Sequence, residues 1–119
     1  MDTQALGAFG EECAARFLRR KGYRIVARNF RCRLGEIDII ARKGEVLAFV
    51  EVKLRKNDRF GEAREFVTYA KQRRVLAAAE FYLAREREEL QPRFDVVEVY
   101  APDGLRGPVR IEHLENAFM

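Results

Sequence analysis

The sequence predicts an α/β protein in which a mixed β-sheet is flanked by helices. Three observations carry this reading: an opening segment with apolar residues at helical spacing, two strand-like runs separated by Arg42-Lys43-Gly44-Glu45, and a second helical segment followed by an alternating strand. A chain of 119 residues is long enough for one domain, residues 1–119, with a single core.

In the first helix, Gln4 to Lys21, the residues Leu6, Phe9, Cys13 and Phe17 define a buried stripe with Gly10 on the same side, and Glu11 and Glu12 flank it. Glu12 has Arg16 four residues on, a helix-surface ion pair. Glu11 has only Ala14, Ala15 and Leu18 at those spacings, so it is either a solvated boundary residue or a carboxylate with a function. Tyr23 to Phe30 reads as the first strand.

Glu36 to Ala41 and Val46 to Lys53 read as a hairpin. With Lys43-Gly44 as a two-residue turn, Arg42 faces Glu45, Asp38 lies opposite Phe49 and Glu36 opposite Glu51. One face is then wholly apolar (Ile37, Ile39, Ala41, Val46, Ala48, Val50, Val52). The other carries Ile40, Leu47 and Phe49, then Glu36, Asp38, Glu51 and Lys53 at its open end. A slip by one residue would turn the apolar face to water. Arg55 to Arg64, polar and containing Gly61, reads as a loop beside that end. Thr68 to Glu89 reads as a helix with Val75, Leu76, Ala79, Leu83 and either Phe81 or Tyr82 inward, ended by Pro92. Phe94 to Tyr100 alternates as a strand, and Val109 to His113 is a candidate edge strand.

The tripeptide Glu51-Val52-Lys53 carries the chemistry. Side chains alternate along a strand, so Glu51 and Lys53 project together while Val52 points the other way. A solvated Glu/Lys pair at a strand end would give the same tripeptide, but here Asp38 and Glu36 are expected on the same patch. Carboxylates so crowded repel one another unless a cation sits among them, and Mg²⁺ or Mn²⁺ bound by an Asp/Glu pair needs neither His nor Cys. Lys53 would then hold or help deprotonate an attacking water and offset charge on a phosphate.

Charge is unevenly placed. Residues 1–75 hold 18 basic and 10 acidic residues, whereas residues 76–119 hold 5 and 9. Arg19, Arg20, Arg24 and Arg28 precede the hairpin and Arg55, Lys56 and Arg59 follow it, as a polyanion-binding surface requires, although an Arg-rich solvated surface would look alike. Lys71, Gln72 and Arg74 occupy the early turns of the second helix, where phosphate binding and plain solvation are both open.

Absences narrow the chemistry. Ser is missing, which excludes a serine nucleophile, and the lone His113 reads as solvated or structural. Cys13 and Cys32 have no metal-ligand spacing, and Cys13 is expected in the core. With neither a basic leader nor an apolar run of membrane-spanning length, a cytoplasmic protein without membrane contact is expected.

These residues resemble the PD-(D/E)xK superfamily of restriction-endonuclease-like nucleases, where an Asp on one strand is followed by Glu-x-Lys on the next. The chain is still more similar to the small bacterial YraN family of endonuclease-like proteins, through Gly10-Glu11, Gly22-Tyr23, Arg28-Asn29, Gly35-Glu36-Ile37-Asp38, Phe49-Val50-Glu51-Val52-Lys53, Lys71-Gln72-Arg73-Arg74, Arg93-Phe94-Asp95-Val96-Val97 and Glu115-Asn116-Ala117-Phe118. Archaeal Holliday junction resolvases look similar in the same places. The resemblance implies a restriction-endonuclease-like fold, catalytic roles for Asp38, Glu51 and Lys53, an extra metal ligand at Glu11, and a backbone carbonyl ligand at Val52. The expected activity is Mg²⁺- or Mn²⁺-dependent hydrolysis of branched or structured DNA, in preference to RNA. A homodimer is allowed, since junction cleavage requires a two-fold pair of sites. The alternative is a non-catalytic nucleic-acid-binding module on the same fold.

Overall fold

A computed structural model describes residues 3–56 and 67–118. The chain runs α1 (Thr3–Arg20), β1 (Arg24–Cys32), β2 (Gly35–Lys43), β3 (Val46–Arg55), α2 (Tyr69–Leu83), β4 (Gln91–Tyr100), a 3₁₀ turn (Gly104–Arg106) and β5 (Arg110–Leu114). The five strands form one sheet in the order β1-β2-β3-β4-β5. Every neighbouring pair is antiparallel except β3 and β4, which are parallel. A parallel pair needs a crossover, and α2 lies within it. The expected mixed sheet with flanking helices is therefore the observed one, and it is compatible with a restriction-endonuclease-like architecture. Among the described residues no helix is long and apolar enough to cross a membrane.

The helices bury two separate clusters. Ala14, Ala15 and Leu18 of α1 pack with Ile39, Ala41, Ala48, Val50, Val97 and Val99. Val75, Ala78 and Ala79 of α2 pack with Ile37, Ile40, Leu47, Phe49, Phe94 and Val96. The second cluster is rich in rings: Phe49 stacks on Phe94 at 5.5 Å, and Tyr82 meets Phe49 edge-on at 6.1 Å. Of the two aromatic residues expected to share one inward place, Tyr82 reaches this core, while Phe81 lies under the Arg85 guanidinium at 4.3 Å.

The α1 stripe differs from the expected one. Its fully buried residues are Ala14, Ala15 and Leu18, whereas Leu6, Phe9, Cys13 and Phe17 are half-buried. Small side chains let the helix lie close on the sheet: a methyl added at Gly10 would sit 3.6 Å from Leu54 Cβ. Large residues then straddle the contact rather than fill it, and Glu11 belongs to the sheet-facing side. Gly22, at φ 97°, ends the helix, with Tyr23 N–H donating to the Leu18 carbonyl and Gly22 N–H to that of Arg19.

The hairpin register also differs. Lys43 pairs with Val46, so Gly44 and Glu45 form the loop in place of Lys43-Gly44. Gly44 has a φ of 62°, and a two-residue loop with positive φ at its first position selects glycine there. The register moves by two, which preserves the faces and points Asp38 toward Glu51 rather than Phe49. Glu36 is exposed and pairs with Arg31 instead of facing Glu51.

α2 is shorter than Thr68 to Glu89. Thr68 is its N-cap, accepting the Lys71 N–H, and the helix ends at Leu83. Beyond it Arg85 to Glu89 has no apolar residue to bury, and Glu88 is held instead by Arg42 at 2.8 Å. Pro92 does not end the helix; it lies in β4, whose first residues Gln91 and Pro92 are exposed. The edge strand expected over Val109 to His113 is β5, one residue further on. Of the loop expected over Arg55 to Arg64, everything beyond Lys56, including Arg59, lies outside the described residues.

Candidate functional site

The site begins where the β2–β3 ladder stops. Its last pair is Ile39 with Val50, and one step on the Asp38 carboxylate, not the β2 backbone, accepts the Val52 N–H at 2.8 Å. The strand alternation breaks at the same place. Ile37 and Ile40 both join the α2-side core while Ile39 joins the α1 side, so Ile37 is not on the apolar face expected for it. On β1, Asn29 stands between the pairs Arg28–Ile39 and Phe30–Ile37 with a φ of 52°. The two strands twist together at Asn29 and Asp38, and Asp38 turns toward β3. A strand residue carries its N–H and C=O on the same edge, so the Val52 carbonyl points to this opening as well.

Glu51 lies on the α2 face of β3 with its side chain 2% exposed. Its Oε2 is 3.4 Å from the Lys71 ammonium, and its Oε1 is buried with no hydrogen-bond partner among the described residues. Burial, reinforced by the nearby Asp38 charge, pushes the Glu51 carboxyl up to about 7, against the pull of Lys71 and Lys53. Asp38 is raised by burial too, which the Val52 N–H and Lys71 oppose. Glu11 is raised by burial and by Asp38, with Asn29 as the opposing hydrogen-bond donor. The structure therefore brings Glu11, Asp38, Glu51 and Lys53 into one electrostatic neighbourhood. Among the described residues, however, no three Asp, Glu, His or Cys side chains are grouped closely enough to hold one metal ion. The close unit is the Asp38/Glu51 pair.

Lys71 is the counter-ion that spacing along the strands did not reveal. It comes from the first turn of α2, thirty-three residues from Asp38, and only the packing of that helix over the sheet delivers it. Lys71 was a phosphate-binding candidate, but Glu98 was missed: it neighbours Lys53 in the β3–β4 register, is 1% exposed, and accepts the Tyr100 hydroxyl at 2.6 Å. A signal was present, since Phe94, Val96, Glu98 and Tyr100 alternate onto one face.

The remaining candidates scatter. Arg19, Arg20, Arg24 and Lys56 are exposed. Arg28 donates to Glu12 at 2.9 Å, and Glu12 also holds Arg16. The Gln72 amide donates to the Val67 carbonyl at 2.9 Å, fixing the entry to α2. Arg55 is half-buried at the end of β3, and Arg74 lines a cleft with Arg31 and Arg33. His113 is not solvated: its Nε2 is 2.8 Å from Asp95, which Arg93 grips through two nitrogens, and its Nδ1 faces Lys21 at 2.7 Å.

Fold and site together define an α/β protein with a buried, lysine-flanked carboxylate pair where two strands part. The chain belongs to the uncharacterised protein family UPF0102, whose model matches residues 10–99 and so spans Glu11, Asp38, Glu51, Lys53 and Lys71. A UPF0102 protein of Symbiobacterium thermophilum is 52% identical, covering 98% of this chain and 98% of the relative. One from Nocardia farcinica is 52% identical over 98% of this chain and 91% of its own length, and one from Caldicellulosiruptor saccharolyticus 48% identical over 84% and 86%.

Proposed function

We propose that this protein is a Mg²⁺- or Mn²⁺-dependent nuclease of the PD-(D/E)xK type that hydrolyses phosphodiesters in branched or otherwise structured DNA. The observation that supports the reading is the Asp38/Glu51 pair with the buried Glu51 Oε1, which has no hydrogen-bond partner among the described residues. A hard divalent cation accepts one or two carboxylates and fills its other positions with water and phosphate oxygens, so this donor set fits it. Asp38 and Glu51 would hold the ion with the Val52 carbonyl as a further ligand, and Glu11, too far to complete the same carboxylate group, would act on it through its charge beside Asp38. When bound, the ion would supply a more acidic water and charge neutralisation at the phosphate.

The chain's own residues do the rest. Lys53, on the same face as Glu51, orients the attacking water and offsets charge on the phosphate. Burial of Glu51 strengthens each of these interactions by excluding water. Arg19, Arg20, Arg24, Arg55 and Lys56 supply sequence-independent attraction to the DNA backbone. A homodimer would present two such sites to a junction.

Calorimetric titration with Mn²⁺ tests the reading. Binding heat is expected for the wild type and is lost in Asp38→Ala and Glu51→Ala; heat that survives both substitutions overturns it. Lys53→Ala should abolish cleavage while leaving DNA affinity nearly unchanged, because one phosphate contact among many alters the salt slope by only about one unit. The second reading, a non-catalytic nucleic-acid-binding module, is favoured by one observation: Lys71 already stands where a cation would neutralise Glu51. Salt-sensitive DNA binding without cleavage of branched, single-stranded or duplex substrates in Mg²⁺ or Mn²⁺ would select it.

A further inference from the structure

Beside the carboxylate pair, the β1–β2 turn and the first half of α2 enclose a cleft of about 350 Å³. Arg31, Arg33, Lys71 and Arg74 line it, against one carboxylate, Glu36. Glu36 is committed to Arg31 at 3.1 Å, and Lys71 is shared with Glu51. Arg33 and Arg74 are exposed and pair with no carboxylate among the described residues. Four cationic side chains thus line one cleft, together with Cys32, Leu34 and Gly35. The start of β2 and α2 approach closely beside the cleft, since a methyl at Gly35 would lie 2.5 Å from the Arg74 carbonyl oxygen. Like charges so arranged are relieved by an anion.

We propose that this cleft is a phosphate subsite, seating a backbone phosphodiester of DNA next to the one presented to Asp38 and Glu51. The placement rests on the nuclease reading above; the anion site itself does not. Lys71 joins the two places, lining the cleft while its ammonium faces Glu51. Planar guanidinium groups suit phosphate oxygens through paired hydrogen bonds, and Arg33 of the β1–β2 turn and Arg74 of α2 supply two of them.

Inorganic phosphate, titrated into the full chain without divalent metal and followed by amide NMR shifts, tests the anion site. Saturable shifts are expected at residues 31–36 and 71–74. The double variant Arg33→Ala/Arg74→Ala should weaken binding at least about tenfold, as the loss of charge-assisted hydrogen bonds implies. The control Arg87→Ala/Arg106→Ala removes equal charge elsewhere and should leave it unchanged. Asp38→Ala/Glu51→Ala should retain phosphate binding, so failure of the nuclease reading and failure of this one are separate results. A DNA oligonucleotide without terminal phosphates should displace the inorganic phosphate. Absence of shifts in these segments, equal weakening in the control, or no displacement by that oligonucleotide overturns the proposal.

Discussion

The Asp38 carboxylate accepts the backbone N–H of Val52 at 2.8 Å, standing in for the strand partner that β2 no longer provides. This contact fixes the acid against β3 and keeps the opening between the strands from closing. It also sets Asp38 beside Glu51, so each carboxyl is raised by burial, and Glu51 further by Asp38. A strand end built only for stability would not keep two such acids in one dry place, because separating or neutralising them would be favourable.

Glu51 therefore destabilises the metal-free protein at neutral pH. Its folded value of about 7 lies above the ordinary 4.5, so between those values the folded state binds a proton that the unfolded state does not. Its stability contribution is greatest below 4.5 and is lost as pH rises through 7. Glu51→Gln is expected to stabilise the chain at pH 8 by about 1–2 kcal/mol and to change little at pH 4. Urea denaturation at both pH values checks the sign; destabilisation at pH 8 would contradict it.

Metal binding should show the mirror image. A proton and Mn²⁺ compete for Glu51, so affinity should fall about tenfold per pH unit below the Glu51 value of about 7 and level off above it. Lys71→Met removes the resident counter-charge. At pH 8.5 it should tighten Mn²⁺ binding by about 3–10-fold, the range a partly screened charge provides. Weaker binding at that pH would mean that Lys71 supports the metal site rather than competes with it.

Much of this was legible in the sequence, and the gaps have physical causes. The apolar run Val46 to Val50 and the polar end at Glu51 and Lys53 placed β3 and its charged face, because burial forbids a one-residue slip while leaving a two-residue shift open. The two-residue error in the turn arose from taking Lys43-Gly44 as the loop, when positive φ suits glycine in the first loop position. The break at Asn29 and Asp38 is invisible to periodicity, since a local twist changes which core Ile37 enters without changing any residue type. Lys71 reaches Glu51 only through tertiary packing. Helix α1 misled through its large residues, for the closest contact with the sheet belongs to Gly10, Ala14 and Ala15.

A second buried acid has the opposite pH signature. Burial alone would raise Asp95, but His113, Arg93 and the Asn116 N–H together hold it down at about 2. The stability it contributes is present above its ordinary 3.8 and is lost as pH falls through 2. Asp95→Asn should cost about 3 kcal/mol at pH 7, the usual result of leaving one side of a buried ion pair alone, with a smaller loss at pH 2.5. Unchanged melting at pH 7 would show that Arg93 and His113 find other partners.

Gly35 tests whether α2 is pinned over the site. A methyl there would lie 2.5 Å from the Arg74 carbonyl oxygen and 3.0 Å from its carbon, both backbone atoms that cannot swing aside. Gly35→Ala must therefore push α2 away from the start of β2, and Lys71, one turn earlier on that helix, must move with it. The expected loss of stability is about 1–3 kcal/mol, the range for overpacking a close contact. Lengthening the Lys71–Glu51 distance beyond its 3.4 Å should also raise the Glu51 carboxyl further, because the cation that opposes its protonation recedes. Carboxyl carbon shifts followed by NMR against pH should show the Glu51 midpoint higher in Gly35→Ala than in the wild type. A variant that is less stable but keeps the wild-type midpoint would show that the helix pivots elsewhere and that Gly35 does not position Lys71.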